Sequence, residues 1–365
     1  MRLYLLILSL LAILLDVHGQ PQALWLERAH DMGVFYEQNG KVACSMRVVN
    51  SGDEPLLIVK AQAGCGCTGV DYPETPIAAG DTGVVAITYN PAGRPGQFSK
   101  QVIIFTNTIP KRTTLEITGN VIPTAATLSK QYPVVAGPLR ISQPSLPFGE
   151  LTRGSNKTLF LSCYNASTDT LVAHVDGALP HLKPALVPDT VAPGRVTALT
   201  VHYLSGKAPQ WGLNVDTLTV SCRPLQAAAT ALSGTAPVLV MAQVAEDFSR
   251  LTARQRQQAP VAVIDCGERL DCGAMRAGDI VSRTFCITNK GKLPLSIRRL
   301  WAPDGEGVTA TADRYDVKAG KKAVVTVSID LSRQSGDVLD VPLTLLCNDP
   351  DHPRQTVRLV GFIDK

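Results

Sequence analysis

Four landmarks recur three times along this chain, in one order and at nearly constant distances. A glycine opens each copy at Gly33, Gly149 and Gly273, and an asparagine follows at Asn50, Asn165 and Asn289. Next come a turn glycine at Gly80, Gly194 and Gly320 and a closing glycine at Gly119, Gly234 and Gly361. The spacings are 17, 30 and 39 residues in the first copy, 16, 29 and 40 in the second, and 16, 31 and 41 in the third. A chain so built folds as three versions of one unit. At roughly 90 residues each, the copies are too long to be solenoid repeats.

Within each copy the pattern is that of strands. "VACSMRVVN", "TLFLSCYN" and "SRTFCITN" lead into the asparagine, and "VVAITY", "VTALTVHY" and "AVVTVSI" follow the turn glycine. Alternating β-branched and polar residues between Gly, Asn, Asp and Pro make half-buried strands joined by tight turns. The expected fold is all-β: three tandem immunoglobulin-like β-sandwiches with short linkers, one of them helical. The expected boundaries are a leader over 1–19, sandwiches over 20–122, 143–239 and 263–365, an extended proline-marked linker over 123–142 and a helical linker over 240–262. The helix is expected over 243–258, where Val244, Phe248 and Leu251 share one face.

The leader reading rests on Arg2, the apolar run from Leu3 to Leu15 and the small or polar residues up to Gly19. Thirteen residues rise only about 20 Å as a helix, short of a roughly 30 Å hydrocarbon core, so no stable membrane span is expected after cleavage. A formal charge of +4 without a Lys/Arg block leaves no electrostatic footprint for nucleic acid. Export takes the nine cysteines to a compartment where disulfides persist.

Residues 63–70 read "AGCGCTGV", and here the sequence carries a resemblance. The run "GCGCTGVDYPETPIAAGDTGVVAITYNPAGRPGQFSKQVIIFTN" resembles the signature of the bacterial family called domain of unknown function 1573. Its usual motif is Ser-Cys-Gly-Cys-Thr, then a Pro-Gly turn and a Gly-x-Phe hairpin. That family is similar to Hydin-type and major-sperm-protein-type immunoglobulin-like domains. The third copy resembles it from its opening strand onward, and the second does so more faintly. The resemblance implies an exported protein of a Gram-negative bacterium, periplasmic or at the cell surface, and brings no agreed activity. Ala63-Gly64 departs from the usual serine, and Cys272 stands where Phe148 stands in the second copy. The second and third copies lack Cys-Gly-Cys, having Leu179-Pro180-His181 and Pro303-Asp304-Gly305 near the same offset.

Cys65, Gly66, Cys67 and Thr68 are therefore the motif of interest, with a structural or disulfide role first, a redox role second and a metal role third. Two residues apart in an extended strand, both sulfurs face one side, and pliable Gly66 lets them meet. A disulfide between them closes a small ring of the labile, oxidising kind. Zinc would need further ligands, and no second Cys pair or His-x-x-x-His lies nearby, so no metal is assigned. Strand parity turns Cys163 and Cys222 inward on opposed sheets, where an inter-sheet disulfide is expected. Cys286 and Cys347 repeat the placement one residue out of parity, and Cys266 and Cys272 are close enough in sequence to pair.

Neither a Gly-x-Ser-x-Gly elbow, a phosphate loop nor a His-Glu-x-x-His helix occurs, and no motif requires a cofactor. His30, His174, His181, His202 and His352 are scattered, and Asp349 and Asp351 read as turn residues before calcium ligands. "DTL" at 169–171 and 216–218 and "DTV" at 189–191 resemble acceptors for periplasmic O-glycans, and Asn156 and Asn165 lie in Asn-x-Ser/Thr sequons. The expected function is a non-enzymatic binding or scaffolding protein of the cell envelope, with an unidentified envelope protein or glycan as partner. The alternative is a thiol-dependent, redox or metal-binding, periplasmic factor using Cys65 and Cys67. A surface adhesin or carbohydrate-uptake accessory is a third reading with no specific residue behind it.

Overall fold

The computed structural model describes residues 19–227, 234–334 and 336–364. All of the expected leader except Gly19 falls outside them. In the first sandwich the strands are β1 (Ala23–Trp25), β2 (Ala29–Tyr36), β3 (Val42–Asn50), β4 (Ile58–Ala63), β5 (Thr68–Asp71), β6 (Thr82–Tyr89), β7 (Gly96–Thr106) and β8 (Arg112–Ile122). They form two sheets, β1-β3-β6-β5 and β2-β8-β7-β4, packed face to face. Strand β6 shows why: Val85, Ile87 and Tyr89 are buried while Thr82 and Val84 stay outside, the period of two that a half-buried strand demands.

The second sandwich follows helix α1 (Ala125–Gln131). Its strands are β9 (Val134–Ala136), β10 (Leu139–Ile141), β11 (Ser145–Thr152), β12 (Asn156–Asn165), β13 (Leu171–Asp176), β14 (Leu182–Val187), β15 (Thr190–Val191), β16 (Val196–Leu204), β17 (Gly212–Pro224) and β18 (Gly234–Ala245). Helix α2 (Ala253–Gln258) precedes the third, built from β19 (Ala262–Ile264), β20 (Arg269–Arg276), β21 (Ile280–Asn289), β22 (Leu295–Trp301), β23 (Val308–Ala312), β24 (Asp316–Val317), β25 (Lys322–Asp330), β26 (Val338–Cys347) and β27 (Arg354–Asp364). Their sheets run β14-β16-β12-β10-β9 with β11-β18-β17-β13-β15, and β19-β21-β25-β23 with β20-β27-β26-β22-β24. Each sandwich encloses its own hydrophobic core, so the chain is a tandem of three immunoglobulin-like β-sandwiches.

The repeated landmarks are structural devices. Gly33, Gly149 and Gly273 sit at φ of 73°, 71° and 68°, in bulges where β2, β11 and β20 run parallel to the last strand of their sandwich. Asn50, Asn165 and Asn289 are each fully buried. Each side-chain amide donates to two backbone carbonyls, those of Glu54 and Ile77, of Asp169 and Val191, and of Leu293 and Val317. Their carbonyl oxygens accept the backbone N–H of Gly52, Ser167 and Gly291 two residues on. The main-chain carbonyl of each asparagine takes the N–H of the turn glycine, Gly80, Gly194 or Gly320. One side chain thus ties a strand end to two loops, which explains why asparagine recurs at this offset.

Four expectations need correction. The closing glycine of the second copy is not Gly234, which instead abuts Gly137. Gly119 and Gly361 stand beside the bulge glycines, and the residue paired with Gly149 is Ala242. The 123–142 linker is not extended: Thr124 caps α1 by accepting from Thr127 N at 3.1 Å, and β9 and β10 belong to the second sandwich. The second boundary at 239/240 falls inside β18, whose pairing with β17 and β11 runs through Val244 and Ala245 and overrides the helical periodicity. Only Ala253–Gln258 is helical, started by a capping box of Thr252 and Gln255.

Specific contacts hold the sandwiches to one another. Glu37 reaches from the first to α1, accepting from Thr124 N at 2.8 Å and Thr127 Oγ1 at 2.8 Å as well as from Gly93 N at 2.7 Å. Burial pushes its carboxyl up, but these hydrogen bonds outweigh it and hold the group below the usual glutamate range. Between the second and third sandwiches, Trp211 lies between the guanidinium groups of Arg153 and Arg298, 4.8 and 4.9 Å from its ring centre. Arg298 also pairs with Glu246 at 3.1 Å, and Arg299 donates to the carbonyls of Trp211 and Leu213 at 3.2 Å.

Candidate functional site at the sheet crossing

Strand β4 lies at the edge of one sheet of the first sandwich and β5 at the edge of the other. The four residues between them, Gly64 to Cys67, carry the chain across. They form a turn, closed by Thr68 N donating to Cys65 O at 3.3 Å, and not the extended strand that the sequence suggested. Cys65 and Cys67 are joined by a disulfide, their Cα atoms 5.3 Å apart. The two ends differ: Cys67 is buried at 6 % exposure and packs with the core, while Cys65 is half-buried. Thr68 Oγ1 lies 3.6 Å from Cys65 Sγ and 3.7 Å from Cys67 Sγ, within hydrogen-bonding reach of both sulfurs.

Asn90 N donates to Cys67 O at 2.8 Å and fastens the turn to the end of β6. Outside it, a groove of about 420 Å³ is lined by Lys41, Gly66, Cys67, Gly69, Thr88 and Asn90, among others. Lys41 and Asn90 are remote in sequence, and only β3 pairing with β6 brings them here. Neither Gly66 nor Gly69 has the positive φ that demands glycine. A Cβ on Gly66 would meet nothing within 4 Å, and one on Gly69 only the Thr88 Cβ at 3.8 Å.

The corresponding crossings are made without sulfur. From β13 to β14 the corner ends in His181, buried at 4 % exposure, with Nε2 2.9 Å from Asp216 Oδ2 and its ring edge-on to Tyr203. Burial, with Asp216 adding to it, pushes the Tyr203 hydroxyl up to about 12. From β22 to β23 the corner turns on Gly305 and Gly307, at φ of 92° and 62°. These are the places where the sequence put Leu179-Pro180-His181 and Pro303-Asp304-Gly305.

The other expected disulfides do not form. Cys163 and Cys222 are buried free thiols of one core, and Cys222 Sγ donates instead to Ala136 O at 3.2 Å. Ala136 is in β9, and β10 separates β9 from Cys163 in β12. Two strand spacings, roughly 10 Å, exceed the reach of a disulfide. Cys286 faces out of the core and Cys347 into it, so their sulfurs lie on opposite sides of a sheet. Cys266 and Cys272 are also unbonded. Burial pushes the Cys163 thiol up to about 12 and the Cys347 thiol to about 11, so neither is a nucleophile at neutral pH.

Asp349 is a turn residue: Oδ1 accepts from Asp351 N and His352 N, and Oδ2 from Ala262 N. Among the described residues no group of three or more His, Cys, Asp or Glu could hold a metal ion, and no helix is long and apolar enough to cross a membrane. Asn165, buried in its clamp, cannot accept a glycan in the folded protein, whereas Thr190 and Thr217 are exposed.

Residues 24–121 match the family described as "Protein of unknown function (DUF1573)". The first sandwich is a DUF1573 domain. No curated protein matches the chain in sequence. Among solved structures it is similar to a protein of unknown function from Porphyromonas gingivalis W83, with 19 % identity, a TM-score of 0.44, and coverage of 62 % of this chain and all of that one. It is also similar to a PapD-like domain of human CEP192, with 15 % identity, a TM-score of 0.26 and coverage of 31 % and 88 %. For the titin fragment I67–I69 the values are 10 %, 0.20, 94 % and 99 %.

Proposed function

We propose that the chain is an exported, non-enzymatic binding or scaffolding protein of the bacterial cell envelope that takes partners along an open sheet edge. The observation that carries this reading is a difference between three equivalent edge strands. Strand β14 contains Lys183 and Pro184, the residue types that discourage strand addition. Strand β5 has four residues only. Strand β23, "VTATA", has neither lysine nor proline and borders a groove of about 350 Å³ lined in part by Gly305, Val308 and Thr309. It lies at the end of its sheet. An extended segment of an envelope protein adding there would gain main-chain hydrogen bonds, with Thr309 and Thr311 beside it.

Because Asp330 N donates to Gly307 O, ladder alternation makes Thr309 and Thr311 the inward-bonded positions and leaves the N–H of Ala310 pointing away from β25. Ala310→Pro therefore removes a docking donor while sparing the sheet. A photo-crosslinking residue at Thr309 should give one adduct of defined mass in intact cells, in the envelope fraction. That adduct should disappear with Ala310→Pro and not arise from position 183. Retention of the chain in the cytoplasm, or equal adducts from both edges, would count against the reading.

A further inference from the structure

We propose that the Cys65–Cys67 disulfide is a thiol-exchange site that captures an extended polypeptide bearing a free thiol, by forming a mixed disulfide at Cys65. This goes beyond edge binding in the third sandwich and does not depend on it. Four observations converge. The corner does not need sulfur, because the other two sandwiches make the same crossing with His181 and Asp216 or with glycines. The disulfide borders an open groove on its Cys67 side, and the two glycines there are demanded by neither backbone conformation nor packing, so a segment seated in the groove meets no side chain at either position. The two residues are unequal, with Cys65 half-buried and Cys67 buried. The Thr68 hydroxyl is near both.

These features order the chemistry. A partner thiolate attacks Cys65 Sγ, the new sulfur–sulfur bond forms there, and the Cys65–Cys67 bond breaks with its electron pair on Cys67 Sγ. Thr68 Oγ1 donates to the departing Cys67 thiolate, which then takes a proton from water. Lys41, which lines the groove together with Cys67, favours the negative charge that develops on Cys67 as the bond breaks. The exchange is stoichiometric: one partner thiol is oxidised into the mixed disulfide, Cys67 is reduced, and return attack by Cys67 reverses it. The partner segment runs extended beside β5 for only its four residues, so the mixed disulfide and not a strand ladder holds it. Hydrogen bonding of Cys67 with Asn90 places Gly69 and Asp71 in the bonded positions of the ladder and leaves the N–H and C=O of Val70 facing outward.

The test uses the full mature chain with its disulfide formed. The probes are a ten-residue peptide of Thr, Val and Ser with one central cysteine and 2-mercaptoethanol, at equal thiolate concentration. After quenching with N-ethylmaleimide, peptide mapping by mass spectrometry should find the probe on Cys65 and the alkyl group on Cys67. The peptide should open the disulfide at least tenfold faster than mercaptoethanol. Gly66→Val should slow the peptide reaction about tenfold with an unchanged melting temperature. Should Gly66→Val fail to fold, Gly69→Ala gives the second arm, slowing the peptide but not mercaptoethanol. The proposal is overturned if the peptide has no rate advantage, if the probe maps to Cys67, or if the folded glycine variants react like the parent.

Discussion

Replacing Asn289 with alanine tests whether the buried asparagine is what holds each sandwich closed. The substitution removes two donated bonds, to Leu293 O at 2.8 Å and Val317 O at 2.9 Å, and two accepted ones, from Gly291 N at 2.9 Å and Val261 N at 3.3 Å. Three are partly buried, and each contributes about 1 kcal/mol net. The fourth leaves the carbonyl of Val317, a residue with 0 % exposure, without its side-chain partner, at a cost of about 1–3 kcal/mol. The third sandwich should lose about 4–6 kcal/mol, equivalent to a thousandfold or more in its opening equilibrium. Hydrogen exchange read by mass spectrometry resolves the sandwiches individually, which a single unfolding curve for three domains does not. Protection should collapse in β21 and β25 and persist in β3 and β6. Asn289→Asp should be worse than alanine, because it sets a carboxylate against two carbonyls. A loss below tenfold, or an equal loss in the first sandwich, would refute the reasoning.

Limited trypsin digestion should cut first after Arg250, 93 % exposed between β18 and α2, leaving the first two sandwiches joined; earlier cleavage after Arg140, inside β10, would contradict the place of that strand in the sheet. Glu37 is held below its ordinary value of 4.5, so its stabilisation of α1 is complete at neutral pH and lost as the pH falls through that lowered value. Exchange in α1, corrected for intrinsic rate, should therefore accelerate on acidification, and Glu37→Gln should abolish the step. With thiols raised by burial, Cys163 and Cys347 should resist iodoacetamide in native protein while half-exposed Cys286 reacts first. Their rapid native labelling would mean that the cores open.

The architecture was legible because its devices are local. A bulge needs a glycine at positive φ, and a clamp at a strand end needs a side chain with both donor and acceptor, so Gly33 and Asn50 recur with their spacing. What escaped the sequence depends on partners far along the chain. Inward parity of Cys163 and Cys222 was right, but β9 and β10 come between them, and a stretch of prolines and short apolar runs gave no sign of two further strands on that sheet. Gly234 fell at the right distance by coincidence, since the hairpin before β18 is longer in the second copy and Ala242 takes the place beside Gly149. Phe248 and Leu251 mimic a helical face with Val244, yet Val244 is already committed to the ladder opposite Gly212. Only the Thr252–Gln255 capping box marked the true helix start. At the candidate site the cysteines were visible, whereas Lys41 and Asn90 reach the groove only through strand pairing.

The three corners separate what the fold requires from what the first sandwich adds. Crossing from one sheet edge to the other needs a short segment that turns without stranding backbone groups, and four, five and six residues do it in the three copies. The second corner fixes itself by hydrogen bonding buried His181 to half-buried Asp216, and the third by two glycines in the left-handed region. Either is a sufficient solution, so the topology alone cannot be the reason for Cys65 and Cys67. Nor is their stabilising effect large: on the chain-entropy account a loop of three residues gains only about 1.6 kcal/mol from a cross-link, against about 4.7 for a hundred-residue loop. A structural staple would be better placed between the sheets, where Cys163 and Cys222 remain reduced. Sulfur placed where it stabilises least, beside glycines that leave one side open, is what the proposed exchange site requires.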